Sequence, residues 1–287
     1  MALVAALLVA VALGPAGPGL RFMDVGQGNA LLLVGPEGHV VMIDSGPPAA
    51  AEVVIHALDE HALQRVDLWI HSHFDADHVG GVARAIAGAD GVAGSEDDVE
   101  VAALWDRGLD GAPDTEAVAA YLAVAGDRRR AAGAGDRFTA PGLVVYAVET
   151  GAAPGLAAEN ARGLALCVEI GGLRLLAPGD LPADQAAVAA AACGPVDVLW
   201  AAHHGSADAT SEAVLSAADP ALVVISAGRD NPYCHPAAVT LARLHGRVAW
   251  ISGLAGGGPL GACPGLAASL GAEHRLLAGD LWLAAEP

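Results

Sequence analysis

The chain has no lysine. All 14 of its basic residues are arginine, set against 33 aspartates and glutamates, for a formal charge of −19. A field of that sign repels polyanions at long range, so any nuclease chemistry must rest on local features. Cysteine is scarce: positions 167, 193, 234 and 263 show no C-x-x-C spacing, which argues against a zinc knuckle. In an exported chain Cys234 and Cys263 are the expected pair, whereas in a reducing compartment all four serve as small core or loop residues. No repeat at solenoid spacing occurs, and 287 residues suffice for one large domain with a sizeable core. A membrane-spanning run is missing too. MALVAALLVAVALGPAGPG is apolar only from 2 to 13 before Gly and Pro break it. That length, with A-V-A at 10 to 12, favours a secretory signal and export over a cytoplasmic location, although no basic residue precedes it. An N-terminal strand or a remnant of longer upstream sequence is the alternative.

What the chain does have is HSHFDADHVGG at 71 to 81, with three histidines and two aspartates in its first eight positions. VDLWI at 66 to 70 reads as a buried strand and VARAIAGA after the glycines as a short helix, so the motif occupies a strand-to-helix turn. His73, Asp75, Asp77 and His78 offer imidazole nitrogen and carboxylate oxygen on one tight turn, a donor set suited to one divalent ion or to two sharing a site. His71 reads either as a partner supporting a ligand or as a structural histidine. Two later segments share the format. LRLLAPGD (173 to 180) closes on Asp180, and VDVLWAAHHGS (196 to 206) closes on His203, His204, Gly205 and Ser206. Three strands thus deliver donors at their C-terminal ends, where α/β folds build sites.

These motifs carry a resemblance. HFDADHVGG, PGD and HHGS, preceded by FMDVGQGNALLLVGPEGHVVMIDSG (22 to 46) and joined by NARGLALCVEIGGLRLLAPGDL (160 to 181) and VVISAGRDNPYCHP (223 to 236), resemble the metallo-β-lactamase fold, in particular the hydrolase domain of ComEC-type DNA-uptake proteins. The resemblance implies an α/β fold, a four-layer αββα sandwich over residues 20–287 after an apolar segment 1–19, with one or two divalent ions, manganese or zinc, at one edge. His73, Asp75, Asp77 and His78 match the first ligand motif, and Asp180 matches the carboxylate that bridges two metals. The HHGS pair supplies the last histidine, His203 being expected as the ligand with His204 as its neighbour. The commoner pattern has histidine where Asp75 stands and another near Asn160. Both departures exchange nitrogen for oxygen, which puts one metal position in question and shifts preference toward a harder ion such as manganese.

By the same resemblance the chain is expected to be a phosphodiesterase or nuclease working through a metal-bound hydroxide. Asp77 would ligate and orient the water, and His235 would protonate the leaving oxygen unless it merely caps the following helix. Ser206 and Asn231 are candidate phosphate contacts. Gln27 and Asn29 would lie at the edge of the site, Asn29 standing where the family usually has an acid. Asp24 and Asp44 are expected to orient ligands from behind. Two other readings compete: a hydrolase of lactones, lactams or other esters and amides, and a binding module without catalysis. The partner is then a phosphodiester or another small hydrolysable molecule, or nucleic acid, and the chain carries no channel domain.

The rest of the chain reads as αβ throughout. GPEG at 35 to 38 joins two strands as a hairpin, and segments 47–63, 182–193 and 236–245 read as surface helices. Residues 89–136 are expected to form an insertion at the site rim, with LWDRG (104 to 108) returning to the sheet. Within it ADGVAGSEDD reads first as an acidic turn and second as a calcium loop of incomplete spacing. Arg128 to Arg130, the one basic run, reads as a solvated helix end ahead of a phosphate clamp.

Overall fold

A computed structural model of the chain describes residues 17–152, 158–229, 231–253 and 266–286. The first half runs β1 (Gly19–Phe22), β2 (Leu31–Val34), β3 (Val40–Ile43), α1 (Ala51–Glu60), β4 (Arg65–Val66), β5 (Leu68–Ile70), α2 (Ala76–Val79) and α3 (Val82–Ile86). It continues through β6 (Glu100–Val101), β7 (Leu104–Asp106), α4 (Glu116–Ala125) and β8 (Arg129–Ala131). The second half opens with β9 (Arg137–Ala140), β10 (Leu143–Val148), β11 (Ala165–Ile170), β12 (Leu173–Ala177), α5 (Ala183–Cys193) and β13 (Val198–Trp200). It closes with α6 (Glu212–Ala218), β14 (Leu222–Ser226), α7 (Ala238–Arg243), β15 (Val248–Ser252), β16 (His274–Leu276) and β17 (Leu281–Ala284).

Among the described residues the strands form one sheet of order β17-β1-β2-β3-β5-β7-β8, a second of order β16-β15-β14-β13-β12-β11-β10-β9, and the small pair β4-β6. The apolar runs explain the layering. In β3, Val41 and Ile43 point into the core between the sheets, while Val40 and Met42 point into the core beneath the outer helices. Strands covered on both faces read as continuous apolar runs rather than as alternations. Leu143, Val145, Leu166, Val168, Leu175 and Trp200 close the inter-sheet core from the second sheet. A third core lies between that sheet and its outer helices, with Leu176, Leu199 and Ile225 against Ala186, Val214 and Leu241. The result is the expected αββα sandwich.

LWDRG returns the chain to the sheet as expected, as β7, but residues 100–131 are not an appended rim: β7 pairs in parallel with β5 and β8 with β7, so the stretch completes the first sheet. Strand β8 is only three residues long, too short for periodicity to reveal it. The acidic turn is satisfied by its own backbone and Ser95: Asp97 accepts the Asp90 amide and Asp98 the Gly94 amide. The arginine run is committed to the structure, Arg129 to Asp106, Arg130 to Asp136 and Arg128 to the Val101 carbonyl. Cys167 on β11 is disulfide-bonded to Cys193 at the end of α5, with Cα atoms 6.0 Å apart. Residues 26 apart in sequence meet there because the helix packs across its own sheet, which spacing does not show. Cys234 is disulfide-bonded as well, while Cys263, the partner expected for it, lies outside the described residues, as does the apolar segment up to residue 16. No helix among the described residues is long and apolar enough to cross a membrane.

Candidate metal centre

Strands β12, β13, β14 and β15 run parallel in the second sheet, as β3, β5 and β7 do in the first. Their C-terminal ends therefore open onto one edge of the sandwich, and the donors collect there. His78 Nε2 lies 3.3 Å from Asp180 Oδ1, and His204 Nε2 lies 3.3 Å from both Asp180 Oδ2 and Asp77 Oδ2. His73 Nε2 stands 3.4 Å from Asp75 and 4.0 Å from Asp180. Two overlapping donor groups result, His73–His78–Asp180 and Asp77–His78–His204, sharing His78.

Each inner histidine is held from its far side. His78 Nδ1 lies 2.8 Å from Asp44 Oδ2, His73 Nδ1 3.0 Å from Ser72 Oγ, and His204 Nδ1 3.0 Å from the Ser226 carbonyl. Asp44 and the Ser226 carbonyl can only accept, so in the neutral rings the Nδ1 atoms carry the protons and the Nε2 lone pairs face inward. Yet His78 Nε2 and His204 Nε2 are 3.3 Å apart. Two lone pairs at that distance need a cation or a proton between them. Buried His73 Nε2 and Asp180 Oδ1 have no hydrogen-bond partner, a second sign that the donor set is shaped for a cation. Nitrogen and carboxylate together fit a divalent ion.

Electrostatics follow from the same packing. Burial opposes charge on His78, but Asp180, Asp44 and Asp77 outweigh it and hold its pKa well above the ordinary value. His204 is likewise opposed by burial and raised by Asp180 and Asp77, to about 9. Asp77 is pushed up by burial and drawn down more strongly by His78 and His204, to about 2. Burial also opposes ionisation of Asp180, and His204 and His78 hold it well below the carboxylate range. Without an ion the histidines take protons in its place.

The histidine pair is ordered differently from expectation. His204 is the inner residue, 1% exposed, while the His203 side chain is 31% exposed, 3.6 Å from Asp180 and 3.4 Å from the Asn160 amide. Both residues take left-handed backbone, φ 52° and 53°, and that double turn swings the second ring inward. Asp75 and Asp77 line a cleft of about 160 Å³ together with Gln27, Asp180, His203, His204, Tyr233 and His235.

Other candidates are spent on structure. Ser206 is buried and donates to Asp208. Asn231 donates from Nδ2 to the Gly228 and His235 carbonyls and accepts the His235 amide, so it fastens the loop instead of facing the cleft. Asn29 is buried behind the metal turn, its amide donating to the Asp77 carbonyl. The neighbouring Gly28 is required, because a Cβ there would come within 2.4 Å of that carbonyl. Gln27 does line the cleft, and its Oε1 accepts the Gly228 amide at 3.2 Å. Asp44 supports ligands as expected. Asp24 instead accepts the Gly26 and Gly279 amides, which fixes loops and reaches no donor of the centre. His71 is structural: burial pushes it down to about 4, and its ring packs against Trp69 and Tyr121. His235 is also lowered to about 4, by burial and then by His203 and His204.

Three contributors left no sequence signal strong enough to assign. Ser72 links Asp44 to His73, and a single serine between two histidines carries no ligand pattern of its own. Glu159 accepts the Phe74 amide at 2.7 Å and is held by Arg107, which ties the loop carrying Asn160 onto the metal turn. Their separations of 85 and 52 residues hide the contact from any local reading.

Residues 23–229 match the Metallo-beta-lactamase superfamily. ComE operon protein 3 of Bacillus subtilis is 26% identical over 242 residues, 75% of this chain. Recombination protein 2 of Haemophilus influenzae is 38% identical over 88 residues, 31% of this chain. The matched regions span 29% and 11% of the lengths of those two relatives. Among solved structures, the metallo-beta-lactamase fold protein YhfI from Bacillus subtilis aligns with TM-score 0.46 and 11% identity, over 72% of this chain and 85% of that one.

Proposed function

We propose that this chain, which belongs to the metallo-beta-lactamase superfamily, is a metal-dependent phosphodiesterase, with the ends of nucleic-acid strands among the diesters it accepts. The observation that carries the reading is the oxygen-rich donor set, in which Asp75 takes the first-motif position and Asn160 stands beside His203. Oxygen donors favour harder ions, and manganese is the one proposed, ahead of zinc. The similarity to Recombination protein 2, a name that refers to nucleic-acid exchange, supports nucleic acid as a source of substrate. Hydrolysis of lactones or lactams on the same fold is the second reading, favoured only if the centre prefers zinc.

His73, Asp75, His78, Asp77, Asp180 and His204 would hold the ion, or two ions sharing Asp180. When bound, such an ion acidifies water and neutralises charge developing on phosphate oxygens. The protein supplies the rest. Asp77, partly open to the cleft and ionised at neutral pH, accepts a hydrogen bond from the attacking water and fixes its direction. Asp44 and the Ser226 carbonyl keep the Nε2 atoms of His78 and His204 aimed inward. His235 acts differently from a protonated acid: with a pKa of about 4 its ring is neutral at pH 7, so it offers one N–H as a hydrogen bond to a phosphate or leaving oxygen. The disulfide between Cys167 and Cys193 supports export to an oxidising compartment.

The test is hydrolysis of bis(p-nitrophenyl) phosphate by protein loaded with manganese or zinc, beside Asp180→Ala. The expected result is metal-dependent release of p-nitrophenolate that the variant loses. Protein that binds metal yet leaves the diester intact would favour the ester and lactam reading.

A further inference from the structure

The cleft has one aromatic side chain, Tyr233, that the chemistry of the centre does not use. Tyr233 is 67% exposed, the most exposed of the large apolar side chains among the described residues. It is not isolated on the surface. Its ring lies nearly parallel to that of His235, 21° between planes and 5.8 Å between centroids, and His235 is in turn nearly parallel to His204, at 22° and 6.5 Å. Three rings thus step outward from the inner donor His204 to the rim, in near-parallel planes. The outermost leaves a face open to solvent in the cleft that Asp75, Asp77 and Asp180 also line.

The backbone on either side of Tyr233 is pinned. Asn231 donates to the Gly228 and His235 carbonyls at 2.5 and 2.8 Å and accepts the His235 amide at 2.9 Å, which closes the loop bearing Tyr233 on both sides. A large aromatic held open in this way is already ordered for contact and loses little entropy on stacking. The surrounding charge sets a limit on what can use it. With a formal charge of −19, a long polyanion is disfavoured at range, so recognition must come from short-range contact with an uncharged part of the substrate. A nucleobase is such a part. It has a flat face whatever its identity, and in a single strand it is free to leave its neighbours.

The geometry points to Tyr233 as a stacking platform for the nucleobase next to the scissile phosphate. The substrate class it specifies is a single-stranded or terminal nucleotide diester rather than a duplex. This deepens the phosphodiesterase reading and rests on it for the position of the phosphate. The base contact itself is measurable without turnover.

Two probes share a leaving group and differ in the nucleoside: the p-nitrophenyl ester of thymidine 5′-phosphate carries deoxyribose and base, methyl p-nitrophenyl phosphate carries neither, and Tyr233→Ala isolates the part due to stacking. The native protein should show a lower KM for the thymidine ester. Tyr233→Ala should erase that preference, a loss of about five- to 150-fold, with kcat changed little, and Tyr233→Phe should keep it. In parallel, 2-aminopurine riboside 5′-phosphate, which is a monoester, should be quenched on binding the native protein and Tyr233→Phe but not Tyr233→Ala. Equal KM values for the two esters in the native protein, or an Ala variant that weakens both alike, would overturn the platform. If neither ester is hydrolysed, the phosphodiesterase reading fails and the quenching experiment decides the platform alone: quenching that disappears in Tyr233→Ala upholds it, and its absence from the native protein removes it.

Discussion

The molecule gathers carboxylates in two places and uses them in opposite ways. In the turn around Asp90, Asp97 and Asp98, the oxygens accept backbone amides and the Ser95 hydroxyl, and the cluster is exposed. At the sandwich edge Asp77 and Asp180 face imidazoles whose far nitrogens are already engaged, and a buried Asp180 oxygen lies 3.3 Å from His78 Nε2 without a hydrogen bond. Acid content is similar; unsatisfied capacity is not. A carboxylate becomes part of a cation site when the fold leaves it facing other lone pairs, and becomes a turn when its own backbone satisfies it.

That contrast can be broken first at the centre. His204→Ala should cost at least about a thousandfold in kcat/KM, because several kcal/mol of charge stabilisation depend on the ion it holds. His203→Ala, at the rim, should cost about tenfold or less; equal losses would reverse the assignment of the inner residue. Next in size, Asp44→Asn removes the charge behind His78 while keeping its shape. Metal affinity, followed by competition with a chelating dye, should fall about 10- to 100-fold with the fold intact by circular dichroism.

A smaller effect sharpens the comparison through pH. In the metal-free protein His204 titrates near 9 against an ordinary value of 6.5, so its contribution is fully present below about 6.5 and is lost as pH rises through about 9. Asp77 works in the other direction, contributing above its ordinary 3.8 and losing that as pH falls through about 2. Metal displaces the histidine protons. The rise in Tm on adding manganese should therefore be small near pH 6 and grow toward pH 9, and a rise independent of pH would mean the ion binds elsewhere. The smallest effect belongs to the turn: Asp97→Asn should leave metal affinity and activity unchanged, and a loss of either would show that the turn communicates with the centre.

Much of the site was legible because its donors follow apolar runs. LWI, LRLLA and VLW mark three strands, and parallel strands ending at one edge bring the following residues together whatever lies between them. The hairpin around residues 35–38 and the outer helices were legible from turn chemistry and mixed polarity. Side-chain direction was not. Whether His203 or His204 points inward depends on two consecutive positive φ values, and no composition signal reports those. Ser206 and Asn231 carry suitable polar groups but spend them on neighbours at close range. At the first sheet's far edge β8 was hidden for a different reason: its residues are Arg-Arg-Ala, with no apolar run, and it is held by Asp106, which receives Arg129 and the Tyr121 hydroxyl.

The origin of the donors has a mechanical consequence. His73, Asp77 and His78 follow a strand of the first sheet, and Asp180 and His204 follow strands of the second. An ion shared among them would act as a rivet through one edge of the sandwich. Amide hydrogen exchange at the ends of β5, β12 and β13 should then slow together when metal is added, while β9 and β16 at the margins of the second sheet stay as they were. The centre would be a fastener whose grip can be timed, residue by residue, without any substrate.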